Sequence, residues 1–517
     1  MADGEGEVET TKLEAIMGLL QPLGIAIMVV AMVSIIVKLI LPSKTSKLNL
    51  PPGPKGLPIV GTLFETRGPK THKILIDLAK KYGPIYTLKT GLRYFIVVTS
   101  AEVAYEALVK ESQNLSSRPK LQSRLNYTGF RSVNSALYGP YWRGTRKNLV
   151  SHVLATKQVA SFAPFREEEL DTLILRVKYE ASNNDDVVTL LPHCRFTIFS
   201  ILLHVCFGMK FTVLATEELD EILKSIIILL APQVIDFLPF VLPFSKHRAE
   251  CQALLQRVRK MFGPIIEQRR KQMEKGEAIA GDYLDSLLAL QKESDLQLVE
   301  TDILGLLGEV LTAGTDTTAN TLEWTMANLI QHPEMQARVY DEIQSVAGDT
   351  PVSEAHIDRM PYLQAVVKEA LRKHPPLPFA IVHGVSKECK LMGYDLPEDA
   401  LFLYHVQAIQ NDPKHWENPD QFNPERFLKP NVNHDLTGSH GIESFHLMPF
   451  GAGRRICPAI NLGLKHAHLL LARLIQNFEW SHPNPGEDVD FEEHLAFTIV
   501  MSNPLKARIR ERTAEFA

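Results

Sequence analysis

At 517 residues, with 45% hydrophobic and 22% charged side chains, the chain has the composition of a folded globular protein and lacks the polar bias of a disordered one. A formal charge of -5 excludes the basic surplus that phosphate-backbone binding requires, so no nucleic acid is expected as a partner. Five cysteines, odd in number and never spaced C-x-x-C, exclude a disulfide framework and a zinc ribbon.

In chain order, an acidic leader over residues 1–14, carrying Asp3, Glu5, Glu7 and Glu9, precedes an uncharged apolar run over residues 15–37. As a helix this run would extend ~35 Å, enough to cross a bilayer. The acidic leader argues against a cleaved signal peptide, and Lys38, Lys44 and Lys47 place the rest of the chain in the cytosol. The expectation is a single N-terminal transmembrane helix at 15–37 in contact with membrane lipid, then a basic, proline-rich hinge over 38–54, then a body over 55–517. Pro51-Pro52-Gly53-Pro54 reads as a stiff connector, because proline fixes φ and removes donors.

Within the body, apolar residues at spacings of three and four predict helices over 70–82, 101–112, 142–180, 193–207, 219–230, 247–275, 301–331, 334–347, 362–374 and 459–478. Shorter β-rich runs lie at 85–99, around 379–385, 390–394 and 401–405, and near 495–510. The fold class is therefore mainly α with a small β-containing domain. Cys194, Cys206, Cys251 and Cys389 read as buried free thiols, and their reduced state suits a body facing the cytosol. No Walker A sequence, G-x-S-x-G elbow or complete dinucleotide fingerprint occurs, so any nicotinamide or flavin domain belongs on another polypeptide.

Two segments carry chemistry. In the helix 301–331, Ala313-Gly314-Thr315-Asp316-Thr317-Thr318 is a poor helical interior, since glycine costs about 1 kcal/mol relative to alanine. Either a packing notch or room for a small ligand at Gly314 accounts for it. In Phe450-Gly451-Ala452-Gly453-Arg454-Arg455-Ile456-Cys457-Pro458-Ala459, a cysteine sits just before a helix, where backbone N–H groups favour the metal-ligating thiolate. Arg455 has the forked donor set that suits a carboxylate.

The second segment resembles the cysteine loop of the cytochrome P-450 family, F-x-x-G-x-R-x-C-x-G, through Phe450, Gly453, Arg455 and Cys457, with Ala459 in place of the last glycine. Glu369-Ala370-Leu371-Arg372 is similar to the family's E-x-x-R, which alone would read as a surface ion pair, and Pro424-Glu425-Arg426-Phe427 to its P-E-R-F. The 313–318 segment resembles the family's oxygen-activation motif. The resemblance, nearest to plant A-type microsomal enzymes, implies the cytochrome P-450 fold and haem b (iron protoporphyrin IX) ligated by Cys457. It also implies contacts to the haem from Trp142, Arg146, His383, Phe450 and Arg455, and a buried cluster of Glu369, Arg372 and Arg426. By the same resemblance Thr317 donates a hydrogen bond in oxygen activation and Asp316 helps supply protons. The activity implied is a monooxygenase inserting one atom of O2 into a lipophilic small molecule of fatty acyl, phenylpropanoid or terpenoid class. Its electrons come from NADPH through NADPH-cytochrome P-450 reductase, at the endoplasmic reticulum membrane. Leu306, Leu307, Leu377, Phe379, Ile381 and Phe497 are expected to make the substrate cavity apolar. A reductase-independent hydroperoxide isomerase or dehydratase and a non-catalytic haem-binding protein are the alternatives.

Overall fold

The computed structural model describes residues 48–129, 131–277, 281–293, 295–429, 435–436 and 441–512. The expected membrane span at 15–37 lies outside them. Chain contacts group Pro51–Ala517 into one unit and Met1–Leu50 into another. The proline segment therefore belongs to the body: the Thr87 N–H donates to the Pro52 carbonyl at 2.8 Å, against strand β1 (Ile85–Thr90).

The long helices, in chain order, are α1 (Thr71–Tyr82), α2 (Pro140–His152), α3 (Ala163–Ser182), α4 (Leu190–Phe207), α5 (Val213–Leu230), α6 (His247–Glu274), α7 (Tyr283–Glu293), α8 (Glu300–Gln331), α9 (Pro333–Ala347), α10 (Pro361–Lys373) and α11 (Ile460–Asn477). The helix expected over 142–180 is broken after His152, continues as a short helix Thr156–Ser161, and is broken again before α3, whose first turn holds Pro164, because that ring would collide with the preceding turn inside a continuous helix. Residues 283–293, unassigned from sequence, form α7, with Leu284, Leu287 and Leu288 on its buried side. Cys194, Cys206 and Cys251 are buried as expected, whereas Cys389 is half-buried on a two-stranded hairpin.

The β structure is split among small sheets. β1 pairs antiparallel with β2 (Arg93–Val98), β2 pairs parallel with β7 (Leu401–Tyr404), and β7 pairs antiparallel with β4 (His383–Gly384). β11 (Lys506–Glu511) sits between β3 (Val187–Thr189) and β8 (Phe478–Ser481). Two hairpins, β5 (Cys389–Leu391) with β6 (Tyr394–Leu396) and β9 (Glu493–Leu495) with β10 (Ile499–Met501), complete the strands among the described residues.

The axis of the helical part is α8, which runs ~48 Å and is buried along most of its length. It packs on α4, an apolar helix whose membrane-like hydropathy reflects its place in the core, with 67% of it buried. Glu323 on α8 is 1% exposed and accepts the Leu505 N–H at 2.9 Å; burial pushes its carboxyl up to about 7. Between pH ~4.5 and ~7 the folded state thus holds a proton that the unfolded chain has released, so this group makes stability fall as pH rises through that window. Glu323→Gln is expected to remove roughly 3 kcal/mol of that fall, read as a flatter urea midpoint between pH 5 and 8.

Candidate active site

Between α8 and the loop preceding α11 lies a cleft with about 1770 Å³ of empty space, its mouth included. The cysteine loop reaches it through a turn at Gly451 (φ 71) and Gly453 (φ 69). A Cβ on Gly453 would lie 2.8 Å from the Leu108 carbonyl oxygen, so glycine is required there on both counts. The turn closes when the Cys457 N–H donates to the Phe450 carbonyl at 2.9 Å. Cys457 and Phe450 both line the cleft, just before α11 and its cap residue Ala459. Burial pushes the Cys457 thiol up, while the Ala459 N–H and the Arg146 guanidinium pull it down. Burial wins, so the helix terminus alone does not produce the thiolate expected from sequence; a coordinated metal would deprotonate the thiol outright.

The polar wall is cationic. Arg146 donates to the Ile456 carbonyl at 2.6 Å, and Arg455 to the carbonyls of Ser116 and, at 2.6 Å, Ala136. Trp142 lies beside both, 5.5 Å and 4.8 Å from the two guanidinium carbons. Arg118, 5% exposed, donates to the carbonyls of Asn134 and Ile381, each at 2.8 Å. Carbonyl oxygens satisfy donors without neutralising charge. Burial and the neighbouring Arg146 bring the Arg455 guanidinium down to about 10, and burial and Arg455 lower Arg118 well below its ordinary range. His383 donates from Nδ1 to the Leu115 carbonyl at 2.6 Å, and burial followed by Arg118 holds its pKa well below the usual imidazole value. Among the described residues the one carboxylate on the cleft wall is Glu309, which accepts the N–H groups of Val133 at 2.9 Å and of Asn134; burial raises it to about 7. Three guanidiniums against one weakly ionised carboxyl make a receptor for a dianion, and with the thiol they fit haem, a flat group bearing two carboxylates.

On α8, Thr317 lines the cleft and its hydroxyl donates to the Ala313 carbonyl at 2.8 Å. Asp316 does not line it. It is ion-paired with Arg195 of α4, whose other nitrogen bonds Asp220 at 2.8 Å. Consecutive helical residues point about 100° apart, so Asp316 faces α4 and its cation while Thr317 faces the cleft. Gly314 lines the cleft and also sits against α4, where an added Cβ would stand 2.7 Å from Leu202 Cδ1. Gly314→Val is expected to cost about 1–3 kcal/mol by overpacking, and adding Leu202→Ala should restore part of it, measured by denaturation of single and double variants. Leu377, Phe379 and Ile381 line the cleft as expected, but Leu306 and Leu307 are fully buried in the helical core and Phe497 is 40% exposed, off the cleft.

Behind the cleft, Arg372 grips Glu369 through two bonds of 2.7 and 2.8 Å, and neither side chain has measurable exposure. Arg426 adds a contact at 3.4 Å. The pair is coupled to the cysteine loop through Gln410, whose amide donates to the Arg372 carbonyl at 3.0 Å and accepts the Met448 N–H at 2.9 Å.

The family model described as Cytochrome P450 matches residues 51–509, nearly the whole body. The chain belongs to the cytochrome P450 family. It is similar to several plant cytochromes P450: 34% identical over 481 residues to Cytochrome P450 71B24 of Arabidopsis thaliana (90% of this chain, 95% of the relative). It is 35% identical to Cytochrome P450 monooxygenase 76AD131 of Lophophora williamsii (90% and 93%) and 33% to Oryzalexin D synthase of Oryza sativa subsp. japonica (89% and 92%). A zebrafish cytochrome P450 solved with progesterone superposes with a TM-score of 0.72 at 24% identity, covering 85% of this chain and 99% of that one, which shows the common fold. This plant cytochrome P450 is thus a haem-dependent monooxygenase with the mainly helical architecture of its family. Sequence reasoning missed Arg118 and left Glu309 unnamed within 305–313, a stretch that the family resemblance places toward the substrate; no motif marks either residue.

Proposed function

We propose that the chain is the oxygenase half of a two-protein system that hydroxylates or epoxidises a lipophilic small molecule, drawing electrons from NADPH through NADPH-cytochrome P450 reductase. The observation that carries this reading is one cleft lined by Cys457, by three guanidiniums and by apolar side chains. Bound there, haem supplies an iron at which O2 is activated and one oxygen atom becomes transferable. Cys457 would hold the haem iron through its sulfur, whose charge the Ala459 N–H would steady. Arg118, Arg146 and Arg455, with Trp142 and His383 beside them, would hold the cofactor's carboxylates. The Thr317 hydroxyl, parked on the Ala313 carbonyl, turns into the cleft to donate a hydrogen bond, whereas Asp316 serves as a proton source only when its pair with Arg195 opens.

Leu377, Phe379 and Ile381 leave a substrate little to hydrogen-bond, which suits fatty acyl, phenylpropanoid or terpenoid molecules that partition into lipid. Residues 15–37 would anchor the protein in the endoplasmic reticulum membrane, with the body in the cytosol. The test is oxygen consumption by the haem-loaded protein with such substrates. Consumption should require both NADPH and the reductase and should match product formed. Turnover of lipid hydroperoxides without the reductase, and no oxygen uptake with it, would overturn the reading in favour of an isomerase.

A further inference from the structure

Away from the cleft, Glu102, His415 and His446 bring three ligand atoms within 4.8 Å of one another. Glu102 stands in the first turn of the short helix Ala101–Tyr105, His415 in the turn after Val406–Gln410, and His446 at the end of the 3-10 turn Ile442–His446. The two imidazoles stack with centroids 3.6 Å apart, and His415 Nε2 lies 3.2 Å from Glu102 Oε1. The three segments are already fastened together. The Trp416 indole N–H donates to the His446 carbonyl at 3.3 Å, and the Tyr105 ring packs edge-on to Phe445 at 5.2 Å.

We propose that these three side chains form a binding site for a divalent transition-metal ion, zinc above all. Two imidazoles and one carboxylate are a donor set that favours Zn2+ or Cu2+ over Mg2+ or Ca2+, with a fourth position left for water. Metal–ligand bonds of ~2.0–2.1 Å put tetrahedral donors ~3.3 Å apart, so ligand atoms now within 4.8 Å need to close by up to about 1.5 Å. The stacked rings must turn out of parallel for their lone pairs to converge, and the partial exposure of all three residues permits that turn. The ion would pin the helix after β2 to the 3-10 turn that leads through Met448 into the cysteine loop, so its occupancy sets how firmly that loop is held. This inference is independent of the oxygenase reading, since the site lies outside the cleft and is read by binding and stability.

The test takes the full-length, haem-loaded chain, stripped with chelator and then titrated with Zn2+ alone. Equilibrium dialysis should show about one tightly held equivalent, and the thermal midpoint, followed at the Soret band and by circular dichroism, should rise. Glu102→Gln, His415→Asn and His446→Gln should each weaken uptake by roughly tenfold or more and cancel the rise, while His482→Gln, a half-buried control outside the cluster, should not. Three separate substitutions keep the result readable if one of them impairs haem uptake. No tight uptake by the wild type, or uptake unchanged in the variants, would overturn the proposal.

Discussion

Cys457→Ala is expected to abolish the strongly red-shifted Soret band in the carbon-monoxide difference spectrum of the dithionite-reduced protein, and with it all reductase-supported turnover. The band reports thiolate ligation of the iron, and among the described residues Cys457 is the only cysteine on the cleft wall. Cys194, Cys206 and Cys251 are buried elsewhere and cannot replace it. Cys457→His is the informative companion, because an imidazole in the same turn still offers a ligand but no anionic sulfur. It should retain haem in part and lack the shifted band. If the wild-type protein binds haem and folds but never shows the band, Cys457 is not the ligand and the mechanism built on it falls.

Glu369→Ala should be the most damaging substitution for stability, at about 3–5 kcal/mol. The cost comes less from the lost attraction than from what is left behind. The Arg372 guanidinium, with no exposure, would keep only the carbonyls of Gln410, Pro419 and Gln421 and the side-chain oxygen of Asn411 as partners, and its charge would stay buried without an anion. The Asn423 N–H, which donates to Glu369 at 2.9 Å, would be orphaned as well. Because Gln410 connects Arg372 to Met448, the damage should reach the cysteine loop, and haem loss should precede global unfolding in denaturant. Glu369→Gln retains an acceptor but not the charge and should fall between. A Glu369→Ala protein as stable as the wild type would show that the pair is not uncompensated when broken.

Much of this site was legible in the sequence because its chemistry is local. The cysteine, the two glycines that turn toward it and the proline after it lie within one short segment, and their types alone point to a ligated metal before a helix. The long helices were legible for a similar reason, since periodicity records which side is buried. Legibility ended where the answer depends on a second segment. Whether Glu369 and Arg372 form a surface pair or a buried one turns on residues 410–426 folding over them. That Gly314 borders both the cleft and Leu202 depends on where α4 packs. The facing of Asp316 was predictable from helical geometry, but the cation that claims it comes from α4. Arg118 becomes part of the cleft only through the course of its loop. The break inside 142–180 had its signal in Pro164, which apolar periodicity overrode.

The docking of the proline segment bears on how this protein can be trimmed for laboratory production. β1 is the outer strand of its sheet, and residues 52–62 cover its open side: the Thr87 N–H is taken by the Pro52 carbonyl, and the Lys89 carbonyl by the Thr62 N–H at 2.7 Å. The fit at Gly53 is so close that a Cβ would stand 1.9 Å from the Thr87 oxygen. Shortening the chain past Pro51 would therefore uncover a row of unpaired backbone groups, the kind of edge along which separate molecules zip together and precipitate. A shortened version should be cut ahead of Pro51, so that the strand keeps its cover.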